Sequence, residues 1–276
     1  MRIALTIAGS DPGGGAGIQA DLKTFAAFGV YGASAITAVT VQSTRGVEAV
    51  EPLPADLVTA QIEAVAGDLR IDVTKIGMLA TAAIVEAVAA AIKELELPLV
   101  VLDPVLVSSS GARLLDADGV QAMCLELLPL ARAITPNIAE AEALSGRRIG
   151  SPAEARDAAR RIHDMGAATV IITGGHGPGT RDGPRTKDQG PGTEVVDLVL
   201  HEGEFHEFRA SRIESTSTHG TGCTYASALA AGLALGHSIP DAAARAQHYV
   251  GGAIAHAPGI GHGRGPLNHF WNAQRT

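Results

Sequence analysis

The segment THGTGC, residues 218–223, carries the side chain and backbone types in this sequence that are best suited to chemistry. Gly220 and Gly222 let the backbone turn so that successive amide N–H groups point the same way. Cys223 then lies in the first turn of an alanine-rich helix, whose positive end would attract an anion and lower the pKa of the thiol. A simple turn before a buried cysteine has the same spacing, so the motif alone leaves both interpretations open.

A second glycine-rich loop, GSDPGGGAGIQAD at residues 9–21, lies between a predicted strand and a predicted helix. Its glycines do not complete a dinucleotide fingerprint, and no Gly-Lys-Ser/Thr follows them as in a P-loop. Asp21 could accept a hydrogen bond from a substrate hydroxyl. Alternatively, its negative charge could simply stabilise the helix by interacting with the positive end of the helix dipole. Taken alone, the loop is also compatible with a flexible connection.

The segment TPNIAEAEAL, residues 135–144, places Asn137 and Glu140 three residues apart at the start of a predicted helix. Both side chains offer oxygen ligands to a hard cation such as Mg²⁺. An N-cap asparagine with a capping glutamate has the same spacing, and spacing alone favours that alternative. The ten histidines are scattered without the spacing of a zinc site, so we predict none.

Short apolar runs alternate with helical segments along the chain, and this alternation indicates an α/β fold. The predicted strands cover residues 2–9, 34–42, 73–79, 99–105, 131–137, 168–177, 194–200 and 204–208. The predicted helices cover residues 17–29, 54–69, 81–95, 151–166, 221–235 and 239–256. We expect a mostly parallel, doubly wound sheet with helices on both faces and ligands beyond the carboxyl ends of its strands. Residues 178–193, rich in glycine and charge, predict a mobile surface flap within one domain.

Composition excludes several classes of function. A length of 276 residues suits one large α/β unit. The net charge of -8 and the lack of a basic run argue against a nucleic-acid partner. No apolar stretch reaches the ~18 residues that a membrane span needs. Two cysteines, and an N-terminal apolar run too short for a signal peptide, predict a cytoplasmic protein.

Several motifs in a fixed order resemble those of the hydroxymethylpyrimidine/phosphomethylpyrimidine kinases, in the ribokinase-like superfamily. They are LTIAGSDPGGGAGIQADLKTF, VTVQST, KIGML, VLDPV, ITPNIAEAEAL, GGH and THGTGCT, and the likeness runs from residue 2 to the tail GHGRGPLNHF. The resemblance implies a single ribokinase-like domain over residues 1–276, a three-layer α/β/α sandwich, with a homodimer expected. It implies an enzyme that uses ATP and Mg²⁺ to phosphorylate 4-amino-5-hydroxymethyl-2-methylpyrimidine and then its monophosphate.

The resemblance also assigns substrate-binding residues. Gln42 matches the glutamine that binds the pyrimidine, and its amide offers both a donor and an acceptor to an aminopyrimidine edge. Asp21 matches the acid near the hydroxymethyl group. Gly9, Ala16 and Met78 match residues that line the ring pocket.

Catalytic and cofactor residues follow from the same resemblance. Cys223 matches the position of the catalytic base, which would take the proton of the substrate hydroxyl. The expected anion hole comprises Gly220, Thr221 and Gly222. The expected magnesium side comprises Asn137, Glu140 and Asp103, and the expected nucleotide contacts are Asn137, Thr173 and Gly175.

The chain departs from the family pattern at two places. Thr173 stands where a lysine usually precedes the GGH motif, and Thr216 and Ser217 stand where lysine and asparagine usually precede THGTGC. Since threonine brings no positive charge to the nucleotide phosphates, weaker ATP binding or a reduced second phosphorylation would be consistent with these changes. A pyridoxal or pyridoxine kinase of the same superfamily and a non-catalytic pyrimidine-binding homologue are therefore the alternatives. A third alternative, an NAD-dependent oxidoreductase, is supported by the first glycine-rich loop alone.

Overall fold

Runs of buried apolar residues form the strands of one sheet, as the alternation predicts. The computed structural model describes residues 1–108, 111–174 and 194–272, so Gly175 and the predicted flap 178–193 lie outside the described residues. The strands within these residues are β1 (Ile3–Ser10), β2 (Tyr31–Ser43), β3 (Gly46–Pro52), β4 (Val73–Ile76), β5 (Val100–Leu102), β6 (Ala133–Ile134), β7 (Thr169–Ile172), β8 (Glu194–His201) and β9 (Glu204–Ser211).

The α-helices of the described residues are α1 (Gly17–Ala27), α2 (Ala55–Asp68), α3 (Ala82–Glu94), α4 (Ala117–Ala122), α5 (Ile138–Ser145), α6 (Pro152–Asp164), α7 (Thr221–Ala234) and α8 (Ile239–Ala255). Their starts follow the capping signals of the sequence. Ser151 accepts a hydrogen bond from the amide of Glu154, with Pro152 at the first helical position. Thr81 accepts one from the amide of Ile84 at 3.3 Å, as predicted.

Helices cover both faces of the sheet, whose strand order is β3-β2-β1-β4-β5-β6-β7-β8-β9. Neighbouring strands from β2 to β7 run parallel, whereas the pairs β2–β3, β7–β8 and β8–β9 are antiparallel. Helices α1, α7 and α8 pack on one face and helices α2 to α6 on the other. The predicted α/β/α sandwich with a mostly parallel sheet is therefore confirmed.

This topology brings distant residues to one edge. Because the carboxyl ends of parallel strands share an edge, the residues that follow β1, β4, β5 and β6 gather there, beside Gln42 near the end of β2. In residues 1–108, 111–174 and 194–272, no helix has the length and apolar character needed to cross a bilayer.

Candidate active site

The anion-binding loop lies at the start of α7. Gly220 adopts a φ of +82°, and a side chain there would overlap the carbonyl oxygen of Gly15 in the other glycine-rich loop. The hydroxyl of Thr221 donates to the carbonyl of Thr218 at 2.7 Å and holds the turn. The first intrahelical hydrogen bond joins Thr224 to Gly220, so the amides of Gly222 and Cys223 precede it. Those amides and the helix end can bind an anion.

Cys223 lies among charged and polar groups rather than aliphatic side chains. Its thiol group forms a hydrogen bond with the carboxyl group of Asp103, and its sulfur accepts a hydrogen bond from the amide of Gly17. The ammonium group of Lys75 is close enough to interact with it electrostatically. Burial raises the pKa of the thiol to about 12; the Lys75 charge opposes this rise, while Asp103 adds to it. The expectation of a lowered thiol pKa is therefore wrong, because the loss of hydration on burial outweighs the helix end. The thiol is protonated at neutral pH.

A buried ion pair lies next to this thiol. The ammonium group of Lys75, on β4, lies 3.0 Å from both carboxylate oxygens of Asp21 and 3.8 Å from Asp103 Oδ2. Thr6 and Ser227 also donate to Asp21, at 2.6 and 2.7 Å. Burial is the largest single influence on Lys75 and disfavours its charged form. The negative charges around it, led by Asp21, together outweigh burial, and the pKa of Lys75 is raised.

Asp21 is itself fully buried, and its carboxylate accepts all of these bonds from within the protein. Its role beside the substrate hydroxymethyl group stays a prediction. Sequence reasoning missed Lys75, although a lysine inside the short apolar strand VTKI is a signal of a buried ion pair.

The expected magnesium side contains two buried carboxyl groups with raised pKa values. Burial raises the pKa of Asp103 to about 6 and that of Glu140 to about 8, and the Asp103 charge adds to the second rise. Asp103 Oδ2 is buried and accepts no hydrogen bond from the described part of the chain. A hard cation would supply the missing partner and favour both charged forms, so this donor set fits Mg²⁺.

Asn137 and Glu140 also form the capping box that their spacing favours. The Asn137 side chain accepts the Glu140 amide at 3.0 Å, and the Glu140 carboxylate accepts the Asn137 amide at 2.9 Å. Their role as metal ligands stays a prediction. Among the described residues, no group of three or more His, Cys, Asp or Glu side chains is arranged to hold a metal.

The expected ring pocket lies where β1, β2 and β4 end. Met78 packs against Gly9 so closely that a side chain at Gly9 would overlap its methyl group. Ala38 and Leu114 join Met78 in a small apolar cluster. Gln42, on β2, is partly exposed at the same end of the sheet.

The first glycine-rich loop is organised by Asp11, which sequence reasoning also missed. Its carboxylate accepts the amides of Gly13, Gly15 and Ala16 at 2.8, 3.1 and 2.8 Å. Burial opposes its charge, but hydrogen bonds from His219 and from Ala16 outweigh this, and its pKa is lowered. These hydrogen bonds give the loop a defined conformation, and the loop ends at Ala16, which is the N-cap of α1.

The expected nucleotide side lies further along the same edge of the sheet. Thr173 pairs with Asn137 in a short parallel bridge and donates its amide to the Pro136 carbonyl at 2.9 Å. A separate cleft of about 610 Å³ lies between the loop before α7 and the end of α8. Its walls include Thr216, Ser217 and Ile254.

Comparison with known proteins places this site in a family. The family model described as phosphomethylpyrimidine kinase matches residues 11–268, nearly the whole chain. The chain belongs to the phosphomethylpyrimidine kinase family. A hydroxymethylpyrimidine/phosphomethylpyrimidine kinase of Rhizobium meliloti is 47% identical over 271 residues, covering 97% of each chain.

Two further relatives show the range of this family and its structural neighbours. A bifunctional thiamine biosynthesis protein of Geobacter sulfurreducens is 45% identical over 98% of this chain, which spans 52% of that protein. The structure of a pyridoxal kinase from Bacillus subtilis, in complex with ADP, superposes with a TM-score of 0.86 at 35% identity. The match covers 99% of this chain and 98% of that one.

Proposed function

We propose that this protein transfers the γ-phosphoryl group of ATP to the hydroxymethyl group of 4-amino-5-hydroxymethyl-2-methylpyrimidine, and then phosphorylates the monophosphate. Membership of the phosphomethylpyrimidine kinase family supports the substrate. The observation that carries the chemistry is the position of Cys223, at an anion-binding helix start and against Asp103 and Lys75. A base, a positive charge and a set of backbone amides are the groups that phosphoryl transfer needs.

The reaction follows from these groups. The substrate oxygen forms a bond to the γ-phosphorus while the bond to the ADP oxygen breaks, and the hydroxyl proton passes to the sulfur of Cys223. Before it can act as the base, the thiol releases its own proton to water, and the Lys75 charge favours the thiolate that results. The amides of residues 220–223 stabilise the negative charge on the transferred group. Mg²⁺, which Asp103 and Glu140 would hold, neutralises phosphate charge when bound.

We further propose that the nucleotide lies between the α7 loop and the cleft walled by Thr216, Ser217 and Ile254. The cleft adjoins the loop that leads to Gly220, so a nucleoside there would direct its phosphates toward the helix start. Thr173 and Thr216 would bind the phosphates by hydrogen bonds without charge. We expect the protein to be a homodimer and to be located in the cytoplasm. Sedimentation of the purified protein tests the oligomeric state.

The test is a set of separate assays on purified protein with ATP and Mg²⁺. Product formation with the hydroxymethylpyrimidine and with its monophosphate, each measured alone, is the expected result. Calorimetry of pyrimidine binding without nucleotide separates binding from turnover. A protein that binds the pyrimidine but consumes no ATP would instead be a non-catalytic homologue.

A pyridoxal kinase activity is the second candidate, because a pyridoxal kinase superposes on the chain over nearly its full length. The two substrates differ at the ring edge that Gln42 would contact. The ratio of kcat/KM for pyridoxal to that for the hydroxymethylpyrimidine decides between them, and we expect the pyrimidine to be preferred.

A further inference from the structure

His219 lies where three segments that are distant in sequence meet. Its Nε2 atom is 2.8 Å from Asp11 Oδ2 in the first glycine-rich loop and 3.1 Å from the side-chain amide of Gln42 on β2. Its backbone amide donates to the carbonyl of Gly265 at 3.1 Å. His219 also immediately precedes Gly220, so it joins the substrate side to the anion-binding loop.

The carboxylate of Asp11 determines which imidazole nitrogen carries the proton. A carboxylate only accepts hydrogen bonds, so a nitrogen at 2.8 Å from it must be an N–H donor. The pKa of Asp11 is lowered, which keeps this partner ionised at neutral pH. His219 Nε2 therefore bears a hydrogen and presents a donor to its second neighbour, the Gln42 amide.

The hydroxyl of Thr40 then determines the orientation of that amide. As placed, the Gln42 nitrogen faces the imidazole and its oxygen lies 3.1 Å from Thr40 Oγ1. The one hydroxyl hydrogen of Thr40 has two competing acceptors, this oxygen and the Ser10 carbonyl at 3.0 Å. In this orientation two N–H donors face each other at His219, and Thr40 can satisfy only one of its two acceptors.

Turning the amide by half a turn satisfies every group, because amide oxygen and nitrogen are exchanged by that rotation. The Gln42 oxygen then shares the single Nε2 hydrogen of His219 with Asp11 Oδ2 in a three-centre hydrogen bond, and the Gln42 nitrogen donates to Thr40 Oγ1. One N–H and one oxygen lone pair of the Gln42 amide remain for a ligand. Their relative positions are fixed, so they fit a ligand ring that presents an acceptor and a donor in the matching order.

We propose that His219 is a positioning residue that, held by Asp11, fixes this orientation of Gln42 and thereby selects an aromatic ring with an adjacent donor and acceptor. An aminopyrimidine has such an edge. The inference rests on the proposed function for the identity of the substrate. It goes beyond that function by assigning substrate selection to a side chain that does not itself contact the ring.

Two substitutions at His219 test it. His219→Leu removes the donor, and we expect the KM for the hydroxymethylpyrimidine to rise about tenfold, since an amide that can turn loses about one hydrogen bond to the ring. The kcat and the KM for ATP should change little. His219→Gln can restore an N–H near the Nε2 position, so its KM should return most of the way to the wild-type value.

A double-mutant cycle with Gln42→Ala separates positioning from general damage. If His219 acts through Gln42, His219→Leu has almost no further effect on the pyrimidine KM once the Gln42 amide is gone. An equal effect in both backgrounds overturns the proposal, and so does a fall in kcat with the KM unchanged.

Nitrogen NMR of the His219 imidazole gives a readout that needs no substrate. We expect the hydrogen on Nε2 in the free protein, and its loss or movement in Asp11→Asn. A spectrum with the hydrogen on Nδ1 alone overturns the inference even if the enzyme is active. A wild-type protein that shows the expected tautomer but neither binds nor phosphorylates the pyrimidine contradicts the proposed function and leaves the positioning geometry standing.

Discussion

At the scale of single residues, the thiol of Cys223 is subject to opposing influences. Burial and the Asp103 carboxyl group raise its pKa, whereas Lys75 and the Gly17 amide stabilise the thiolate. In the proposed reaction, a bound anionic nucleotide and a cation would change the charge around the thiol and with it the pKa. The buried surroundings account for a thiol that is protonated at neutral pH.

Cys223→Ser keeps the shape of the side chain but replaces the thiol by a far weaker acid. We expect kcat to fall by about 10²–10⁴, the usual contribution of a general base. Calorimetric affinity for the pyrimidine should stay within about threefold of wild type, because ring contacts are untouched. Steady-state kinetics with saturating ATP measures the first effect. An unchanged kcat would exclude the base role.

The buried pair of Lys75 and Asp21 makes a second residue-scale prediction. Lys75→Met leaves the carboxylate of Asp21 buried without its cation, and we expect the free energy of unfolding to fall by about 3–5 kcal/mol. Urea unfolding measures it. The matched control, Lys75→Met with Asp21→Asn, removes both charges and should regain much of the loss. A double variant as unstable as the single one would show that the ion pair is not the cause.

At the scale of elements, hydrophobic pattern and capping signals were sufficient for the body of the sheet. The predicted strand 2–9 and helix 151–166 agree with β1 and α6 to within two residues. The pattern failed where packing rather than periodicity decides. Edge strand β3 alternates weakly and has no buried residue. The predicted strand 131–137 forms a strand only over Ala133–Ile134, with an isolated bridge at Asn137. Helix α4 is six residues long, and Asp116 caps it by accepting the amide of Gly119.

Residues 259–266 form a C-terminal strap, of which residues 261–264 are exposed. However, the amides of His262 and Gly263 donate to Thr44 Oγ1 at 3.1 and 3.2 Å, and the Gly265 amide donates to the Thr216 carbonyl at 3.1 Å. The strap thereby joins the β2–β3 turn to the loop before α7.

Alternate glycines make this contact possible. Side chains at residues 261 and 263 would overlap Thr44, whereas His262 and Arg264 between them are exposed. Thr44→Val keeps the volume of the side chain but removes the oxygen that accepts two amides. We expect faster hydrogen exchange across residues 260–265 and a higher KM for the pyrimidine. Thr44→Ser retains the oxygen and serves as the control; equal exchange in all three proteins would contradict the role of the strap.

At the scale of the whole molecule, the site depends on contacts that no local pattern contains. Asp11 and His219 are 208 residues apart, and Ser227 lies 206 residues from Asp21, yet each pair shares a hydrogen bond. The motifs identified which loops meet, because each follows a parallel strand. They did not identify the side chains that support those loops, since a single Asp, Lys or His has no spacing of its own.

The C-terminal segment around His269 packs against α7, and we expect the contribution of this contact to stability to depend on pH. His269 is buried, and its Nε2 atom lies 3.1 Å from the Thr224 hydroxyl, one residue after Cys223. The hydroxyl of Tyr249, on α8, donates to the His269 carbonyl at 2.5 Å. Burial, with a smaller contribution from the Lys23 charge, lowers the pKa of His269 to about 4.

An unfolded His269 binds a proton near pH 6.5, whereas the folded one stays neutral down to about pH 4. Between these values the unfolded state binds more protons, so stability is fully present above pH 6.5 and falls as the pH drops toward 4. The loss from this residue is at most about 3 kcal/mol. His269→Gln keeps a hydrogen-bonding group but cannot titrate, so its urea-unfolding free energy should vary less over this interval. Parallel pH curves for the two proteins would mean that His269 does not couple acid to unfolding.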